Sequence, residues 1–351
     1  MKLCVPVPST IRRFRSSHPL IEGRAGKLRL DFNENTVGCS PAVLRAIQNL
    51  SAEQLAMYTE IQAPTARLAR WYGVKRNELM LTNGADGGLR QIVDTFVERR
   101  STVLLVEPTF VMYRFNVEMA GAKIHTLRYD HELKFPLNDV KRALMQRPRV
   151  FFLANPNNPT GTLIETPAIR HMLESAPRTL FVVDEAYFDF SGVTVLPWIR
   201  RYSNLIVVRT FSKAAGLAGL RLGCLFACPE VMELLARTRE PFPLNVAALV
   251  AAEATVRNHR EVKAYATEIQ RGREMVSKAL GKLGVQVFPS VANFLLVDFG
   301  ARAPKLLRQL ERRGILLRDR TVDFSRTGFV RLTIGTRPQM RKLIKELEKL
   351  W

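Results

Sequence analysis

One lysine, Lys213, stands in the run RTFSKAAGLAGLRLG (209–223), between hydroxyl side chains and a string of small residues. A lysine amine becomes a nucleophile when its pKa is lowered, and it then condenses with aldehydes. Thr210, Ser212 and Arg221 beside it supply two hydroxyls and a guanidinium, groups that suit a phosphate. Upstream, VVDEAYFDF (182–190) puts Asp184 at the end of an apolar run. A carboxylate there is costly unless it is paired with a cation, either a protonated ring nitrogen or a metal. The five histidines, at 18, 125, 131, 171 and 259, are scattered and form no ligand cluster, so no metal is expected. Tyr187 follows Asp184 closely enough to donate or accept a hydrogen bond nearby.

Three further stretches could join this set. NPNNPTG (155–161) follows an apolar run and combines prolines, asparagines and a glycine, which fix a rigid turn with projecting amides, Asn158 among them. VEPTFVMY (106–113) ends with Tyr113, either a ring that stacks on a flat ligand or a packing tyrosine. LTNGADGGLR (81–90) opens a helix at Ala85 and Asp86, where free backbone N–H groups make an anion site or a plain helix start. Together these residues offer an aldehyde-reactive amine, an acid for a pyridinium nitrogen, a phenol and an amide for a ring oxygen, a stacking aromatic and a phosphate cup. That set is complementary to pyridoxal phosphate.

Such groups must be positioned by a scaffold. Apolar runs at 103–108, 149–156, 179–187 and 204–212 read as strands, with helical patterns at 85–99, 138–147 and 166–175 between them. Continuous apolar strands separated by helices indicate a mostly parallel sheet flanked by helices, with ligands at the carboxyl ends of the strands. A helical tract over 245–280 precedes strands at 294–299, 314–319 and 329–334 and helices at 303–313 and 337–351, a pattern that reads as a small α+β domain. The chain of 351 residues therefore divides into an N-terminal arm with part of the small domain (1–33), a large cofactor-binding domain (34–250) and a small C-terminal domain (251–351).

The composition is that of a globular protein, 47% hydrophobic and 24% charged, and no apolar run is long enough to span a bilayer. The basic start is broken by Pro6 and Pro8 and is not a secretory signal. Cys4, Cys39, Cys224 and Cys228 match no zinc spacing and read as buried free thiols, which fits a reducing cytoplasm. The net charge is +21, concentrated in residues 1–30 and 301–351. No zinc finger or interleaved aromatic–basic signature accompanies it. Nucleic acid is therefore not an expected partner, and the charge reads as a basic surface that also attracts small anions.

The motifs NPNNPTG, DEAYFDF, TFSKAAGLAGLRLG and VRLTIGT, in this order, resemble those of fold-type-I pyridoxal-phosphate aminotransferases, and most of all histidinol-phosphate aminotransferases. The similarity runs from LDFNEN (30–35) to FVRLTIGT (329–336). It implies an α/β PLP-transferase fold and exchange of an amino group between an amino donor and a 2-oxo acid. By that resemblance Lys213 would hold the cofactor and shuttle protons, and Asp184 would keep its ring nitrogen protonated. Asn158 and Tyr187 would bond the ring oxygen, and Tyr113 would stack on the ring. Ala85, Asp86, Thr210, Ser212 and Arg221 would hold the phosphate. Arg331 would clamp the substrate's anionic group, with Arg318 as a second clamp. Asn33 and Glu34 would close over substrate, and Asn293 matches a family position in the small domain. Tyr58 would reach into the neighbouring subunit's site, implying a homodimer with composite sites. The chain departs from the family pattern at NENTVGCSP, at Thr59, at Gly87 and in lacking a tyrosine in residues 1–30. These departures leave the cofactor residues intact and bear on the substrate. An aromatic amino acid aminotransferase and a threonine-phosphate decarboxylase-like enzyme share the same cofactor residues and stand as alternatives.

Overall fold

The computed structural model describes Ile11 and residues 22–351. Cys4, His18 and most of the basic N-terminal arm lie outside the described residues. Among the described residues twelve strands form: β1 (Leu28–Leu30), β2 (Leu79–Asn83), β3 (Thr102–Glu107), β4 (Lys123–Arg128), β5 (Val150–Ala154), β6 (Leu180–Asp184), β7 (Leu205–Thr210), β8 (Leu222–Phe226), β9 (Gln286–Val287), β10 (Phe294–Asp298), β11 (Ile315–Asp319) and β12 (Phe329–Thr333).

Seven of them make one sheet in the order β2-β8-β7-β6-β5-β3-β4. Only β8 runs antiparallel to its neighbours; the other pairings are parallel. The apolar runs of the sequence become its centre because both faces are covered. Phe181, Val183, Leu205 and Val207 pack into one hydrophobic cluster, while Val182, Ile206 and Val208 pack into another on the opposite face. Strands β2, β4 and β8 were not foreseen. KIHTLR carries charge at both ends and is only half-buried, and LGCLF is short and contains Gly223.

Gly223 is required by a close approach. A Cβ there would lie 2.4 Å from the Gly84 carbonyl carbon and 2.5 Å from the Ala85 nitrogen. The helix Gly84–Phe96 therefore starts directly against β8.

The remaining five strands make a second sheet, β1-β11-β12-β10-β9, with β1 parallel to β11 and the other pairings antiparallel. Its core joins Leu295, Val297, Val330 and Leu332 to Ile269, Val276 and Leu280 of the long helix His259–Lys282, and to Met340, Leu343 and Leu347 of the helix Arg337–Leu350. The expected helical tract over 245–280 is in fact two helices, Val246–Arg257 and His259–Lys282. Asn258 separates them: its side-chain amide donates to the Ala254 carbonyl at 2.8 Å and closes the first helix before the second begins. The two sheets meet where Tyr187 packs on Ala292 and Phe294. Among the described residues no helix is long and apolar enough to cross a membrane.

Candidate functional site

Neighbouring parallel strands bring the acid and the amine together. β6 ends at Asp184, and β7 runs to Thr210, three residues before Lys213. Asp184 is buried, and its Oδ2 accepts from the Tyr113 hydroxyl at 2.7 Å while Oδ1 accepts from the Ala186 N–H at 3.0 Å. Burial pushes its pKa up to about 6 against the pull of both donors and of Lys213. The half-buried Lys213 donates from Nζ to the Phe32 carbonyl at 3.2 Å. Burial, and then the nearby Arg331 guanidinium, pull its pKa down to about 8. Each group is thus held close to the point where its proton can leave or return at neutral pH.

The first strand's exit closes the site from the other sheet. Asn33 sits in the left-handed region at φ 57°, and its Nδ2 donates to the Tyr187 hydroxyl at 2.9 Å. Its backbone N–H donates to Thr333 Oγ1 at 2.9 Å, and its carbonyl accepts from Asn293 Nδ2 at 3.1 Å. Arg331, on β12 and buried, donates to Asn158 Oδ1 and to the Asp31 carbonyl, both at 2.6 Å. Its Nε has no partner, and burial lowers its pKa to about 10. Arg318 lies directly across the strand pair from Arg331, with its guanidinium 5.5 Å from the Phe32 ring. The turn 155–161 divides its asparagines. Asn155 and Asn157 hold the turn itself, through Ile164, Pro108, Thr109 and Thr160, and Asn158 faces Arg331.

An anion cradle lies at the start of helix Gly84–Phe96. Its cap residue, Asn83, makes no side-chain cap, and the Gly84 N–H donates to the Arg221 carbonyl at 3.0 Å, so the N–H groups that follow, from Ala85 on, are the ones a ligand can take. Arg221, at φ 54°, returns its guanidinium to Asp86 Oδ2 at 2.7 Å, over Gly84. Thr210 Oγ1 accepts from the Ser212 N–H at 3.1 Å and orders the loop before Lys213.

One expectation is altered. Tyr113 cannot stack on a ligand ring. It is fully buried, one face lies on Phe152 with ring centres 5.1 Å apart, and its hydroxyl is spent on Asp184. The half-buried aromatic at that strand end is Phe110, edge-on to Tyr113. Glu34, expected to close over substrate, is ion-paired to Arg24 at 2.7 Å, as is Asp31. Tyr58 is largely exposed, its ring stacked 3.9 Å from that of the exposed Phe242. Sequence reasoning gave no role to Arg320, Asp323 or the Phe32 carbonyl. The first two lie just past β11, where a charged pair reads as ordinary surface, and a backbone acceptor leaves no signal in residue type.

Residues 25–347 match the family model for aminotransferase class I and II. The chain is 34% identical over 328 residues to histidinol-phosphate aminotransferase 1 of Carboxydothermus hydrogenoformans, covering 92% of this chain and 93% of that protein. Among solved structures, histidinol-phosphate aminotransferase from Sinorhizobium meliloti, in complex with pyridoxal-5'-phosphate, superposes with a TM-score of 0.84 at 25% identity, covering 92% of this chain and 90% of that one. L-threonine-O-3-phosphate decarboxylase from Porphyromonas gingivalis gives 0.80 at 27%, covering 91% and 98%. With a strand-end acid and amine, a guanidinium from the second sheet and this match over most of its length, the chain belongs to the class I and II aminotransferases.

Proposed function

We propose that the protein is a pyridoxal-phosphate-dependent transaminase that takes histidinol phosphate as amino donor and a 2-oxo acid, 2-oxoglutarate by the family's habit, as acceptor. The observation that carries the cofactor is the pairing of buried Asp184 with depressed Lys213 at the ends of β6 and β7. The residues fit the group. The uncapped helix start, held open by Gly84 and Gly223, accepts its phosphate with help from Ser212 and Arg221. Asp184 would hold its ring nitrogen, and Tyr187 and the amide of Asn158 its ring oxygen. With Tyr113 withdrawn, Phe110 is the aromatic left at that strand end to cover the ring. When bound, pyridoxal phosphate supplies an electron sink for charge developing at the donor's Cα.

The chain's own residues do the rest. Lys213 would hold the cofactor through its amine and would move the proton at the donor's Cα. Asp184, as a carboxylate, would hold the proton on the ring nitrogen. Arg331 and Arg318 anchor the donor's anionic end. The relatives named for histidinol phosphate, and two guanidiniums side by side across one strand pair, favour a phosphorylated donor.

We also infer a homodimer. Tyr58 and Phe242 form an exposed aromatic stack, and Leu55 and Met57 beside Tyr58 are exposed as well, an apolar surface that suits a partner subunit. Sedimentation should give about twice the 39.8 kDa chain mass; a monomer would remove this reading.

The donor is tested by half-reactions of the loaded protein with histidinol phosphate, histidine, phenylalanine and threonine phosphate, read by cofactor absorbance. Fast conversion by histidinol phosphate is expected. A faster reaction with phenylalanine would move the protein to the aromatic aminotransferases, and release of carbon dioxide from threonine phosphate to the decarboxylases.

The lowered pKa of Lys213 sets the pH dependence of cofactor capture. Only the neutral amine attacks an aldehyde, so loading of the cofactor-free protein should quicken with pH up to about 8 and level off above it. A rate still climbing through pH 10 would contradict this.

Tyr113→Phe deletes a donor that lowers the pKa of Asp184 and keeps ring volume. A larger neutral fraction of Asp184 should weaken pyridoxal-phosphate affinity about tenfold, measured by equilibrium dialysis. Wild-type affinity in this variant would separate Tyr113 from the cofactor.

A further inference from the structure

Arg318 and Arg331 are Cα partners in the antiparallel pair β11–β12, so their side chains leave the sheet on the same face. Arg320 lies two residues beyond Arg318, on that face by the period of extended chain. The backbone there is still fastened to β12, with the Arg320 N–H donating to the Phe329 carbonyl at 2.9 Å. Its side chain is 13% exposed and ion-paired to Asp323, itself 22% exposed. The groups sense one another. Arg320 and Arg318 both depress Arg331 beyond the effect of its burial, and all three guanidiniums pull down the Asp323 carboxyl, which burial otherwise raises.

The charge count is uneven. Among the described residues Asp323 is the only carboxylate ion-paired to any of the three arginines. Arg331 spends its hydrogen bonds on neutral oxygens and leaves Nε unpartnered, and Arg318 lies over the Phe32 ring. Three cations against one acid leave an excess of two positive charges in a largely desolvated pocket. Such an excess is costly when empty and is best relieved by a doubly charged ligand. A phosphate monoester, with a second pKa of about 6, is mainly a dianion at neutral pH, whereas a carboxylate carries one charge.

We propose that Arg320 is a third cation of the donor site, and that Arg318, Arg320 and Arg331, tempered by Asp323, select a dianionic phosphate monoester over a monoanionic carboxylate. This deepens the functional reading above and rests on it for the identity of the donor. Asp323 sets the strength of the selection, because it cancels one of the three charges.

The test compares wild type, Arg320→Gln and Asp323→Asn as loaded enzymes, with inorganic phosphate as a competitor and histidinol phosphate and phenylalanine as donors. Arg320→Gln should raise KM for histidinol phosphate about tenfold and weaken competition by inorganic phosphate similarly, with kcat and the KM for phenylalanine changed less than about twofold. Asp323→Asn should shift both phosphate readouts the opposite way, an outcome that a folding defect does not produce. Equal losses for phosphorylated and carboxylate donors, or weakening in both variants, would overturn the proposal. If wild type fails to use histidinol phosphate, the functional reading falls. Phosphate competition against the donor it does use then still decides Arg320: reduced competition in Arg320→Gln supports the third cation, and unchanged competition removes it.

Discussion

Desolvation is the constraint on which this structure turns. Asp184, Lys213 and Arg331 are charged in water, and each is moved toward its neutral form by removal from it. A loose scaffold would let water return and restore ordinary pKa values. The seven-stranded sheet prevents this by packing both faces, so that the ends of β6 and β7 are fixed by side chains that have no room to move. The second sheet supplies the lid from the other side, through Asn33, Asn293 and Thr333. Reactivity at Lys213 is in this sense a property of two hydrophobic cores and not of one residue.

The hydrogen bonds around the site separate orientation from chemistry. Asp184 has one oxygen fixed by Tyr113 and the other by a backbone N–H, which sets the plane of the carboxyl group. Tyr187 accepts from Asn33, which fixes its hydroxyl as the donor toward the site. Arg331 is held at two nitrogens by Asn158 and a carbonyl, leaving Nε free. The reactive groups are therefore pre-oriented by partners that cannot themselves titrate near neutral pH.

Much of this was legible in residue order. Strongly apolar runs such as VFFLA and LIVVRT gave their strands within a residue or two, because burial on both faces leaves little freedom of composition. Asp184 stood out because a carboxylate is expensive at the end of an apolar strand, Lys213 because hydroxyls and a guanidinium surround it, and Arg331 through the resemblance. The illegible parts have physical reasons. LRL and QV are too short to show a period, and KIHTLR is half-buried. Tyr113 stayed open between stacking and packing on residue pattern, because an aromatic at a strand end does not disclose which way its helix turns it, and only the resemblance made it a ligand-facing ring. The ion pair of Arg320 and Asp323 is a local i,i+3 contact, but Arg320 joins Arg318 and Arg331 only because β11 is registered against β12, information that local sequence lacks.

One pairing has a consequence for how the molecule comes into being. β1, residues 28–30, lies parallel to β11, residues 315–317, and Asn33 bonds to Thr333. The earliest ordered strand thus waits for nearly the last to leave the ribosome. The large sheet can condense during synthesis, since β2 through β8 are complete by residue 226. The wall that shields Lys213 closes only once residues 315–333 have been made, through contacts of very high sequence separation that are slow to form. Until then Lys213 lacks the Arg331 guanidinium, one of the groups that lower its pKa, so the nucleophile is finished by the second sheet.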